Sequence, residues 1–275
     1  MIIVKLFGEI QHRNRTFFKW GLLYLLLFVL ALGLTFFDHR QLMGINIWIK
    51  PSKFALSIAI FLFTMAWYNH YLPPGKTLNL YTKVAIIVFL VEILAVFGQA
   101  ARGVKSHFNI STTTDAMIFQ TMGLAITINT LFVLIICFLF FIKKTDLPKP
   151  YLWGIRLGML LFVVFSFEGF IMAQQLSHTV GGSDGTKGVA YLNWSKQYGD
   201  LRVAHFIGMH ALQIVPITGW LISESNVAML KKFGTVLIIL FAMLYFAFAA
   251  YLFLQALHGY PLLSFNNFSF FLFSS

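Results

Sequence analysis

Seven apolar runs recur along this 275-residue chain, each long enough to cross about 30 Å of hydrocarbon as a helix. They fall at about 17–37, 52–70, 82–100, 116–142, 151–174, 203–223 and 233–256. No other feature limits the fold as strongly. Inside a bilayer every backbone N–H and C=O must be paired within the protein, and continuous apolar runs of this length do that as helices. Hydrophobic residues make up 59% of the chain and charged residues 11%, with a mean hydropathy of +0.81, so a soluble domain would lack polar surface. The sequence therefore predicts an all-α, polytopic integral membrane protein: a seven-transmembrane-helix bundle forming one transmembrane domain over residues 1–275.

The gaps hold charges and helix breakers, as in "DHRQ", "LPPGK", "ARGVKSH" and "KKTDLPKP". With the N-terminus inside, the inner segments carry 12 Lys and Arg and the outer ones 8, which places the N-terminus inside and the C-terminus outside. The net charge of +11 comes from these short flanks and not from any block of like charges, so it reads as headgroup anchoring and not as nucleic-acid binding. The lone Cys137 excludes an intrachain disulfide. The N-terminal stretch has no cleaved-signal pattern. The lipid bilayer is the one partner the composition fixes, and oligomeric state is not legible. The connection "DHRQLMGINIWIKPSKF" reads as a short interfacial helix anchored by Trp48, with Pro51 opening the second span. The apolar tail "FNNFSFFLFSS" reads as an interfacial segment.

A polar side chain inside a span costs several kcal/mol unless it meets a partner or water, so each one asks for a reason. The third span carries Glu92, Gln99 and Arg102, the fourth Asp115, Gln120 and Asn129, and the fifth Glu168. The sixth span, "GDLRVAHFIGMHALQIVP", carries Arg202, His205, His210 and Gln213. At 100° per residue those four share one face, opposite Ile207, Ala211, Ile214 and Val215. Pro216 lies within this span, frees the carbonyl of Leu212 and predicts a kink. Under the seven-span topology most of these polar groups fall in the outer half, beneath the long Gly-, Ser- and Asp-rich outer loop before residue 200. This predicts a polar pocket reached from outside, with the loop as a cover.

The stretches "GINIWIKPSKFALSIAIF", "RGVKSHFN" and "GDLRVAHFIGMHALQIVP" together resemble a family of bacterial multi-span proteins whose function is uncharacterised. The resemblance covers about Gly44 to Pro216, implies a bacterial inner membrane, and brings no activity.

Three functional readings stay open. In the first, the pocket belongs to a membrane enzyme or redox protein acting on a lipid or small molecule. Glu92 and Glu168 would then be its general acid and base, and a transition metal or haem would be held by His205, His210 and His107. A spacing of five puts His205 and His210 140° apart, so they would serve different roles. In the second, a transporter or sensor binds a small anionic ligand through Arg102, Arg202 and Gln213 with the histidines. In the third, the polar groups only fix helix packing, for instance through a Glu92 pair with Arg102 or Arg202, in an accessory subunit of a membrane complex.

Overall fold

A computed structural model describes residues 2–186 and 188–262. Seven of its helices are long and apolar enough to cross a membrane. They are α2 (Arg15–Phe37), α3 (Ile49–Asn69), α4 (Lys76–Ala101), α5 (Thr113–Ile142), the pair α6 (Lys149–Phe167) and α7 (Gly169–Gln174), α8 (Leu201–Glu224) and α9 (Ala228–Leu257). The predicted spans stand, each begun a few residues earlier, and in α2, α5 and α8 a capping side chain sets the first turn. Asn14 accepts from the Phe17 amide, Thr112 from Asp115 and Asp200 from Arg202, so helices begin at these caps and not at the first apolar residue.

A further helix, α1 (Ile2–Arg13), precedes the first span. It is too short and too polar to cross, and it buries Ile10 while leaving Ile3 and Val4 exposed. Arg13 holds it to α3 by donating to the Trp67 carbonyl and lying over the Trp67 ring at 3.7 Å. The expected interfacial helix around Trp48 is not there. Residues Gln41–Leu42 and Ile45–Asn46 form a two-residue antiparallel ladder, turned at Met43 and Gly44, both with positive φ. Trp48 is buried and donates to Asp38 at 2.9 Å. A second two-residue ladder joins Thr179–Val180 to Gly199–Asp200. These ladders lie in the connections, so the bundle itself is all-α. The tail "FNNFSFFLFSS" falls outside the described residues.

Alternate connections gather at opposite ends. At one end, Arg40 donates to the Ala101 carbonyl, Asn193 to Met43 and Lys53 to Leu192, so the first, third and fifth connections form one cap. At the other end, Trp67 donates to Tyr151, and Gly219 and Gly234 press on Pro150.

The tightest seam is α6 on α8. A Cβ on Gly158 would come within 2.7 Å of the Ala211 carbonyl and 2.8 Å of the Pro216 ring. Small residues let the backbones approach this closely, which is how helices gain contact when lipid supplies no hydrophobic drive. Pro216 lies inside α8, and the carbonyl it deprives, Leu212, accepts a 2.8 Å bond from the buried Tyr68 hydroxyl of α3.

Candidate functional site: a charged cluster under the cap

The first turns of α3 carry the feature that the sequence reading had counted as flanking charge. Lys50 and Lys53, three residues apart on one helix face, project beneath the cap. Lys50 acts electrostatically on Glu92, Lys53, Arg202 and Lys105, and Glu92 is the one acid among them. Glu92 is 3% exposed on α4, and Lys50 is the charge that acts on it. Lys53 donates to the Leu192 carbonyl at 3.1 Å and lies close enough to Arg202 and Asp200 to feel both.

His107 comes down from the third connection, its ring 5.2 Å from Phe54 and its Nδ1 3.2 Å from the Ser106 hydroxyl. Burial, with the charges of Lys50 and His205 nearby, holds its imidazole well below the ordinary range, so it is neutral at neutral pH. His205 enters from α8, with Nδ1 2.8 Å from the Phe165 carbonyl in the last turn of α6. A carbonyl only accepts, so Nδ1 is the donor in this bond. Glu168 lies at the break between α6 and α7, one turn beyond Phe165 and next to Gly169, which packs on the His205 ring. It is 7% exposed, and among the described residues neither carboxylate oxygen has a hydrogen-bond partner.

Other sequence candidates go elsewhere. Gln99 and Arg102 both donate to the buried Asp115 at 2.8 Å, and Arg102 also donates to Gln99. This latch ties the end of α4 to the start of α5 and leaves Arg102 half exposed. The packing alternative of a Glu92 pair with Arg102 or Arg202 is therefore overturned: Arg102 belongs to Asp115, and Arg202 to Asp200, at 2.9 and 2.6 Å. Gln120 is exposed. His210 bonds through Nδ1 to the Phe206 carbonyl one turn back, with its ring 4.1 Å from that of Phe206. Gln213 donates to Thr64 of α3 at 3.1 Å. These two lie on the side of α8 facing α3, below the charged cluster.

The cap holds a second polar group that sequence reasoning missed. His178, buried, sits 3.4 Å from Asp184 and 3.6 Å from Asp200, and Asp200 also accepts from the Ser195 amide and from Arg202. Burial and the charge of Arg202 push His178 down to about 4 despite both carboxylates. Among the described residues, no group of three or more His, Cys, Asp or Glu is placed to hold a metal ion. Comparison with protein-family models, curated proteins and solved structures finds no match in any of the three.

Proposed function

We propose that this integral membrane protein binds a small anionic group at the cluster of Lys50, Lys53, Arg202, His107 and His205, in the outer half of a bundle whose N-terminus lies inside a bacterial inner membrane. The observation that carries the reading is the charge count around the first turns of α3. Among the described residues, Asp200 pairs with Arg202, Glu92 is the acid that acts on Lys50, and the half-buried Lys53 donates to a carbonyl, so the cluster holds more cationic side chains than acidic ones. An unbalanced charge here is costly, and an anion removes the cost. The neutral His107 adds a hydrogen-bonding ring nitrogen beside it, while the Nδ1 proton of His205 is given to the Phe165 carbonyl. Of the arginines first considered for this role, Arg202 stays with the cluster, while Arg102 is committed to its latch.

A second reading, general acid–base chemistry on the bound ligand, is favoured by Glu168. Two buried carboxylate oxygens without partners are rare in folded proteins and mark a group kept for exchange with something else. Glu92 would be the second carboxylate in such a reaction. A metal or haem has less to rest on. His205 commits Nδ1 to Phe165, His210 commits Nδ1 to Phe206 on another face, and among the described residues neither belongs to a group of three or more His, Cys, Asp or Glu placed to hold a metal.

The test is a titration of the purified protein with acetate, inorganic phosphate and palmitate, followed by tryptophan emission from the cap residues Trp48 and Trp194. Saturable change in wild type that weakens about tenfold or more in K53Q supports the reading. No saturable change with any of the three, or equal binding by K53Q, overturns it.

A further inference from the structure

The cap closes the cluster from the aqueous side. The Ser52 and Tyr191 hydroxyls meet at 3.1 Å, Lys53 holds Leu192, and Asn193 bridges to Met43, with Asn193 and Ser195 buried. The side facing the bilayer is built differently. α3 and α8 both start at the cap and are joined by the side chains of Tyr68 and Gln213. On α3, Lys53, Ser57, Ile60 and Tyr68 all fall within about 40° of Thr64 around the helix. On α8, Phe206, His210 and Ile217 fall within about 60° of Gln213. Because Gln213 meets Thr64, Phe206 lies level with Ser57 and Arg202 with Lys53, and the mutual influence of Lys53 and Arg202 agrees with that register. Ser57, Ile60, Phe206 and Ile217 are exposed on these faces.

Hydroxyl, imidazole and amide groups open to hydrocarbon are costly and mark a path or a site. Here they lie along the facing sides of α3 and α8 over about 16 Å, from Lys53 down to Thr64, with the cations at the cap end. We propose that the anion is the head group of an amphiphile that arrives sideways from the bilayer between α3 and α8, its tail lying along Ser57, Ile60 and Phe206. This deepens the anion-site reading and rests on it. The charge complementarity is specific: the cations sit at the cap end, and below them Ile60, Phe206 and Ile217 offer exposed apolar surface among the polar groups. A carboxylate and a phosphate head share this chemistry.

The experiment uses the full chain in nanodiscs of phosphatidylcholine and a diazirine-bearing palmitate as photoprobe. Cross-links should map to α3 and α8. Palmitate should compete about tenfold or more better than butyrate, since each buried methylene adds affinity, and dodecyltrimethylammonium should not compete. S57W and, independently, I60W cover the α3 side of this path and should each cut labelling by about fivefold or more without lowering the melting temperature. Butyrate competing as well as palmitate would overturn the amphiphile and leave the anion site standing. Labels spread over all seven spans, or undiminished in both folded variants, would overturn the lateral path. Absence of any saturable labelling, with no response to acetate or phosphate in the tryptophan titration, would remove both readings.

Discussion

The Tyr68 hydroxyl donates at 2.8 Å to the carbonyl of Leu212, the group that Pro216 leaves without its helical N–H. One span thus repairs the backbone of another at the point where the sequence breaks it, and the bond holds α3 at its distance from α8.

Tyr68→Phe should therefore cost about 1–3 kcal/mol, because a buried carbonyl is left unpaired. In a Pro216→Ala background the helix supplies its own N–H, and the same change should cost clearly less. Thermal unfolding of the four proteins measures the coupling. Equal costs in the two backgrounds would mean that the hydroxyl does not serve this carbonyl.

Asp115→Asn should loosen the α4–α5 junction by about 1–3 kcal/mol, since both Gln99 and Arg102 donate to that carboxylate. Anion binding at the Lys50 cluster should be unchanged in the folded variant. A loss of binding without a loss of stability would place Arg102 back among the ligand contacts.

His178 makes the cap sensitive to pH, and the sign follows from its buried, neutral state. Unfolded, it takes a proton near its ordinary 6.5; folded, only near about 4. Cap stability is thus full above about pH 6.5 and falls as pH drops toward about 4, by on the order of 3 kcal/mol in all. Asp184 adds a loss of the same sign at lower pH. Burial pushes it up, but hydrogen bonds from Thr179 and Ser177 and the neighbouring His178 hold it below its usual value. Hydrogen exchange over residues 176–200, corrected for intrinsic rates, should show protection falling between pH 7 and pH 5 in wild type and flat in His178→Asn. A flat wild-type profile would contradict the assignment.

The spans, the Pro216 defect and the burial of Glu92 and Glu168 were legible because each depends on local composition and helix periodicity alone. What escaped depends on how the connections run. Arg102 lies one turn from Gln99 and ten residues from Glu92, and only the path of the third connection decides that Asp115 claims it. Lys50 and Lys53 look like headgroup anchors in sequence. The cap fold over Leu192 and Asn193, some 140 residues away, is what buries them. Their three-residue spacing within one helical turn was the available sign that they share a face. His178 gave no sign at all, since its partners Asp184 and Asp200 meet it only through the second ladder.

The most direct test of the anion site is equilibrium binding of palmitate to wild type, K50Q and K53Q at low and high salt. The account predicts saturable binding to wild type that weakens about tenfold or more in each variant and changes little with salt, because buried charges are poorly screened. Binding that is equal in all three proteins, or that vanishes at high salt as surface attraction does, would contradict it.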